Sequence, residues 1–181
     1  MSELDDALDD ARTGGEWGAT LLYRALNPAL LRYLRHHVYG VAEDLASECW
    51  VSAVQGLSGF AGDIEDFRAW LFTVARRRVV DHYRREDRRP KTVPLDAVAE
   101  SESPSDPAVE AVEALSAQQA IAVLVRELPP NQAEVVLLRV VSELSVEQVA
   151  RITGHSAGSV RVLQHRALRR LENLFGGVVT K

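Results

Sequence analysis

Eighteen residues, Pro90 to Pro107, constrain what the rest of this 181-residue chain can fold into. Eleven of the eighteen are Pro, Ser, Asp or Glu. Ordering a residue costs about 1–2 kcal/mol of backbone entropy, and so polar a stretch has too little apolar surface to offset it. It is expected to be a flexible linker. It leaves two halves of roughly 65–75 residues, each able to build only a modest core, and a larger partner would stabilise both.

Strand signals are weak and three- and four-residue apolar spacing recurs throughout, so the expected fold class is all-α: two small helical domains joined by the linker. The predicted organisation is an acidic N-terminal tail over 1–15, a helical bundle over 16–89, the acidic linker over 90–107 and a second helical domain over 108–176. In the first domain a helix is expected from Glu16 to Ala25. Asn27-Pro28 then reads as a cap and first-turn proline for another helix carrying Leu30, Leu31, Leu34 and Val38, ended by Gly40. A third helix covers Ala42 to Leu57. A fourth starts near Asp66 and carries Phe67, Trp70, Leu71, Val74, Val79 and Tyr83. In the second domain a helix is expected from Val109 to Glu127, and Pro129-Pro130 opens the next. Ser145 and Gln148 form a capping box, Gly154 marks a tight turn, and Ser156 caps a longer helix with Val160, Leu163, Ala167, Leu168 and Leu171 inward. A short helix, a glycine turn and a longer basic helix make a helix-turn-helix pattern.

Net charge is −5, which does not suit a free-standing DNA binder, but the charge is segregated. Arg68–Lys91 carries nine basic residues against three acids, and Arg151–Glu172 carries five arginines against one glutamate. Between them Thr92–Gln119 holds six acids and no base, and the first sixteen residues hold six acids and Arg12. Charge runs are often plain solvated faces; two basic islands on helices point instead to polyanions. The single cysteine excludes an internal disulfide, the N-terminus lacks a signal-peptide pattern, and no apolar run approaches the ~20 residues of a bilayer span. A cytoplasmic protein is expected. No catalytic constellation, metal site or cofactor motif is found: His36, His37, His82, His155 and His165 are scattered, and Cys49 has no local partner.

Three surfaces can do chemistry. An α-helix fits the major groove, where base edges carry a full donor–acceptor code. The helix after Ser156 offers Ser156, Ser159, Arg161, Val162, His165, Arg166 and Arg169 outward. Arg161 is about one turn in, where base edges are met, while Arg166, Arg169 and Arg170 suit phosphates. The long helix puts Arg77, Asp81, Arg84 and Arg85 on one face, flanked by Arg76 and Arg78, with His82 nearby. Phe60, Phe67 and Trp70 lie at or just after a glycine-broken loop. Cations along a backbone with aromatics beneath bases can hold an opened strand; Phe67 and Trp70 equally suit plain core packing. The helix Ala42–Leu57 shows an acidic face of Glu43, Asp44, Ser47 and Glu48, with Trp50 at its edge, which suits a protein partner.

In order and spacing these blocks resemble the extracytoplasmic-function sigma factors of bacterial RNA polymerase. Ala42-Glu43-Asp44-Leu45 through Glu48 and Trp50 is similar to the family's region 2.2. Phe67–Leu71, Val74–Arg76 and Asp81–Arg85 resemble regions 2.3 and 2.4, and Leu128–Pro130, Leu137–Arg139, Leu144-Ser145 and Ser156–Leu171 resemble region 4. The resemblance implies that Asp44, Leu45, Ser47, Glu48 and Trp50 bind core polymerase. It implies that the loop Gly59–Asp66 and the helix Trp70–Arg85 read and melt the −10 element, and that Ser156–Arg170 reads the −35 element. It implies core polymerase (β and β′ subunits) and promoter DNA as partners, and raises an anti-sigma factor. Ser47 stands where the family usually has Gln, Arg77 where Asn is common, Val162-Leu163 where Ser-Arg is common, and Gln164 where Leu is usual. The changes at Arg77 and at Val162, Leu163 and Gln164 sit on reading surfaces, so promoter sequence does not carry over from relatives. Two readings compete: a helix-turn-helix regulator independent of polymerase, and a module that occupies the polymerase site as an inhibitor.

Overall fold

The computed structural model describes residues 2–38, 40–88 and 125–175. The expected linker and all but the end of the helix expected from Val109 lie outside the described residues. No strand occurs among the described residues.

The first fifteen residues, expected as a tail, form helix α1, Glu3–Arg12. Ser2 and Asp5 make a reciprocal capping box, with Ser2 N–H donating to Asp5 Oδ2 at 2.9 Å and Asp5 N–H donating to Ser2 Oγ at 3.3 Å. Ala7, Leu8 and Ala11 are buried against α2, Glu16–His37. The two helices touch because residue 18 is glycine: a Cβ there would run into the Ala7 carbonyl oxygen. Asp10 Oδ2 accepts the Gly18 N–H at 2.7 Å, which satisfies an otherwise free donor in the first turn of α2.

Helix α2 corrects the expectation of two helices meeting at Asn27-Pro28. Pro28 sits inside one continuous helix. A mid-helix proline costs about 3 kcal/mol. Leu22, Leu26, Leu30 and Leu34 form one buried stripe across it, at about 1.5–3 kcal/mol per buried side chain, so packing outweighs the break. Asn27 is not a cap. Its Oδ1 accepts the Trp50 Nε1–H at 3.0 Å and its Nδ2 donates to the Tyr23 hydroxyl at 3.2 Å.

Helix α3 spans Ala42–Leu57, as expected, and α4 spans Ile64–Arg88. The start of α4 lies two residues before Asp66 because Asp63 takes the cap, its Oδ1 accepting the Asp66 N–H at 2.9 Å. Helix α4 packs on α1, α2 and α3 through Phe67, Leu71, Phe72, Ala75 and Val79. Trp70 and Val74 are half-buried and Tyr83 is exposed, its hydroxyl donating to the His37 carbonyl.

In the second half α5, Pro130–Val136, runs into a π-helical turn over Leu137–Val141, closed by Ser142 N–H donating to Leu137 O at 3.0 Å. Such a bulge widens the helix by one residue and re-aims the backbone beyond it. Here it turns Val141, Ser142 and Glu143 towards α2, and Glu143 takes a left-handed φ of 56°. The chain continues through α6, Val146–Thr153, and α7, Ala157–Phe175. The capping box is present as read, with Gln148 N–H donating to Ser145 Oγ at 3.1 Å and Ser145 N–H to Gln148 Oε1 at 2.7 Å. Gly154 ends α6 at φ 76°, a conformation open to glycine. Leu168, expected inward, is 42 % exposed because the buried line of α7 runs through Val160 and Ala167, one step away.

The two halves do not keep separate cores. Buried residues form one continuous cluster, with α2 against the π turn and α4 against α6.

His37 closes α2 beside this junction, its ring 4.6 Å from that of Tyr33 and facing His36, Glu134 and Arg76. Burial, with the His36 charge adding, pushes its pKa from 6.5 to about 4. The unfolded chain therefore takes up a proton first as pH falls, and stability is lost from pH 6.5 down towards 4. The expected loss is at most about 2 kcal/mol between pH 7.5 and 5. Urea titrations of the chain and of His37→Gln at the two pH values check this: an equal loss in both removes His37 as the cause.

Candidate nucleic-acid and partner interfaces

Helix α7 presents the first surface. Ser156 caps it, Oγ accepting the Ser159 N–H at 3.1 Å, and Val160 and Ala167 anchor it inward. Ser156, Ser159, Arg161, Val162, His165, Arg166 and Arg169 lie along this helix and its cap, and all seven are exposed; His165 also lines a groove with its arginine neighbours. Arg161 holds an exposed pair with Glu147 of α6 at 3.1 Å. His165, Arg166, Arg169 and Arg170 line that groove of about 450 Å³ together with Gln132 and Asn173, a concentration of positive charge suited to phosphate. Gln164 corrects the idea that it sits on a reading surface. It is half-buried and its Oε1 accepts Arg139 Nε–H at 3.1 Å. Arg139 also donates to the Leu144 carbonyl and so ties α7 to the loop before α6. Of the positions that depart from the family pattern in α7, Val162 is the one fully outside.

The second surface is α4 with the loop before it. Arg77, Arg84 and Arg85 are exposed, Arg84 lies 3.7 Å from Asp81, and Asp81 and His82 are half-buried beside them. Phe67 is fully buried and stacks on no base in this arrangement; its place is the core, edge-on to Phe60 at 5.5 Å. Phe60 and Trp70 are half-buried and stack on each other at 5.5 Å and 30°. Trp70 lies against Gly56, where a Cβ would stand 2.7 Å from its ring. Arg76 and Arg78 are engaged within the protein. Arg78 lies 3.4 Å from Glu48 and donates to Ser52 Oγ at 3.0 Å, which ties α4 to α3.

The third surface is the outer face of α3. Asp44, Ser47 and Glu48 are exposed, and Trp50 is half-buried, held by Asn27 and 5.1 Å from the Tyr23 ring. Leu45 is 5 % exposed and belongs to the core with Ala42, Ala46 and Cys49, so it is not available to a partner. Sequence reasoning missed Val51 and Val54, which are 56 % and 61 % exposed. They extend the Asp44–Ser47 line by further turns and give the acidic face an apolar centre. The signal was present as two valines on the polar side of the helical pattern. Cys49 is inert, its thiol pushed up to about 12 by burial. Among the described residues no cluster could hold a metal ion, and no helix is long and apolar enough to cross a membrane.

The two halves meet where α2 and α4 face α5, the π turn and α6. Glu134 of α5, 17 % exposed, accepts from Arg76 Nε at 2.9 Å and from the buried Tyr33 hydroxyl at 3.4 Å through the same oxygen. Arg68 bridges Glu65 and Glu143 at 3.4 and 3.3 Å. Gln148 Nε2 donates to the Glu65 carbonyl at 3.1 Å. Ala69, Trp70 and Thr73 of α4 face Arg151 and Ile152 of α6 across a gap of about 300 Å³.

Comparison with known proteins assigns the two halves separately. Residues 22–89 match the model of Sigma-70 region 2, and residues 118–171 that of Sigma-70, region 4. The chain is 36 % identical over 178 residues to the ECF RNA polymerase sigma factor BldN of Streptomyces coelicolor, covering 96 % of this chain and 66 % of that one. It is 32 % identical over 177 residues to the ECF RNA polymerase sigma factor SigD of Mycobacterium tuberculosis, covering 94 % and 82 %. The fold is similar to that of CnrH, solved in complex with the cytosolic domain of CnrY, at a TM-score of 0.63 and 20 % identity over 97 % of this chain and 99 % of that one.

Removing Glu134 should loosen the junction, because Arg76 and the Tyr33 hydroxyl then lose their shared acceptor. Glu134→Ala is expected to speed proteolysis between the halves several-fold while leaving helix content unchanged. Cleavage at the wild-type rate would show that Glu134 does not hold the halves together.

Proposed function

The chain belongs to the extracytoplasmic-function family of RNA polymerase sigma factors, and on that premise we propose that it directs core polymerase to specific promoters and assists their melting. The observation that carries the reading is the basic outward face of α7 behind a doubly capped α6, in a chain whose other half matches region 2. In this reading α7 enters the major groove of the −35 element. Arg77, Arg84 and Arg85 track the −10 backbone, and Phe60 and Trp70 meet its opened bases. Asp44, Ser47 and Glu48, with Val51 and Val54, dock on core polymerase. An anti-sigma partner is part of the proposal on family membership alone.

This reading requires the halves to part. Elements named −10 and −35 are about 25 base pairs apart, roughly 85 Å at 3.4 Å per pair. A compact globule of this chain length is only about 40 Å across. One packed body cannot reach both. The packed arrangement is the resting form, and Arg76 becomes available to DNA only after leaving Glu134.

Transcription from a matching promoter by core polymerase stripped of other sigma factors tests the proposal. Promoter-specific initiation that depends on added protein is expected; its absence, with binding to duplex DNA retained, would favour a polymerase-independent regulator. Arg161 gives a sharper expectation. Its pair with Glu147 is exposed and worth at most about 1 kcal/mol, against roughly 1–3 kcal/mol of discrimination for a bidentate guanine contact, so DNA wins the side chain. Arg161→Ala should weaken the cognate −35 sequence more than a scrambled one. Arg84→Ala should lower the salt slope of binding by about one unit, and an unchanged slope removes it from the DNA surface.

A further inference from the structure

Helix α1 lies outside the residues matched to region 2, which begin at residue 22, yet it grips the loop that precedes α4. We propose that Arg12 of α1 is a positioning residue for the −10 reading loop, fixing Gly62 and Phe60 so that the aromatic platform is formed before DNA arrives. This rests on the assignment of that loop to the opened −10 strand.

Three observations converge. The Arg12 guanidinium donates to the Gly62 carbonyl, is held by Asp9 at 2.7 Å, and lies 5.5 Å over the Phe60 ring. Asp5, the partner of Ser2 in the α1 capping box, also accepts the Ile64 N–H at 3.3 Å, so one carboxylate ties the start of α4 to that of α1. The Ser2 hydrogen bonds, and then Ile64, hold the Asp5 carboxyl below its usual range. Gly62 itself has a φ of 146°, and a Cβ there would stand 2.8 Å from Asp66 and 3.2 Å from the Phe60 ring. The loop is therefore held by Arg12 and by Phe67 and Trp70 against Phe60.

The physical consequence concerns pre-organisation. A loop free to wander pays its ordering entropy when a base binds; one already fixed does not. Arginine suits the task because its planar fork can serve the Gly62 carbonyl and Asp9 while the same plane covers an aromatic face. The anchor has a rigid base, since α1 is locked to α2 by Gly18 and Asp10.

The test uses holoenzyme and a fluorescent single strand carrying the −10 element, with a −35 duplex as the second ligand. Arg12→Ala is expected to weaken the −10 strand about tenfold and to leave the −35 duplex within twofold. Arg12→Gln, which can still donate to Gly62 without the cation over Phe60, should fall between the two. Promoter opening should be slowed in Arg12→Ala, and a template already mismatched across the −10 element should restore initiation only in part, because strand capture as well as opening is impaired. Thermal unfolding of both variants separates a loosened loop from a lost fold. Equal loss on −10 and −35 ligands in a folded Arg12→Gln, or wild-type strand binding by Arg12→Ala, would overturn the positioning role. If the wild-type holoenzyme itself fails to distinguish the −10 strand from a scrambled one, the underlying loop assignment fails instead.

Discussion

One carboxylate oxygen sets how the two halves meet. Glu134 takes a proton donor from each of two neighbouring helices, Tyr33 of α2 and Arg76 of α4, and is itself carried on α5. Burial pushes the Tyr33 hydroxyl well above its ordinary pKa, and the Glu134 charge adds to this. The phenol therefore stays a donor at any physiological pH, and a buried donor without an acceptor would cost about 1–3 kcal/mol. A partly buried arginine has a similar need. Glu134 answers both, so the register between α5 and the α2–α4 pair is specified by charge rather than by shape alone. Gln148 and Arg68 then take the positions that this register allows.

Helix α4 makes the arrangement possible because it has four working sides. One is the core stripe Phe67–Leu71–Ala75. A second holds Arg78 against Glu48 of α3. A third turns Glu65, Trp70 and Arg76 towards the second half. The last leaves Arg77, Arg84 and Arg85 in solvent. A run of adjacent arginines reads in sequence as one basic patch. Helical rotation of 100° per residue sends Arg76, Arg77 and Arg78 to three destinations.

Local signals are legible in the sequence and long-range ones are not. The Ser145–Gln148 box, the Gly154 turn and the bounds of α3 can be read because each depends on contacts within a few residues. The proline at 28 misleads because its local cost is opposed by a leucine stripe whose value depends on α3 and α4 being present. Leu45 counts as a partner residue only through the family resemblance, while its helical spacing puts it on the inward line with Ala42 and Cys49. Gln164 looks like a reading residue until Arg139, twenty-five positions away, supplies its partner. The acidic start of the chain resembles a solvated tail because the features that fold it, Gly18 and the Ile64 N–H, lie beyond it in sequence.

The chemistry of the junction also bears on whether it can open. An interface sealed by leucines would expose apolar surface on parting, at about 25 cal/mol per Å². This one joins the continuous buried cluster to polar ties, Arg76, Glu134, Arg68, Glu143 and Gln148, groups that water accepts when they separate. Their mutual attraction is partly offset by desolvation when closed, so the net cost of parting is small compared with the gross strength of the bonds. Part of its apolar surface, Leu26, Ala29 and Phe72 facing Val141, surrounds a gap of about 80 Å³. A closed form held in this way is well defined yet separable. A ligand that binds the open form better needs a differential affinity of only a few kcal/mol to invert the populations. Under the proposed function, promoter DNA would take Arg76 in the open form alone, and such a difference would then be built into its contacts.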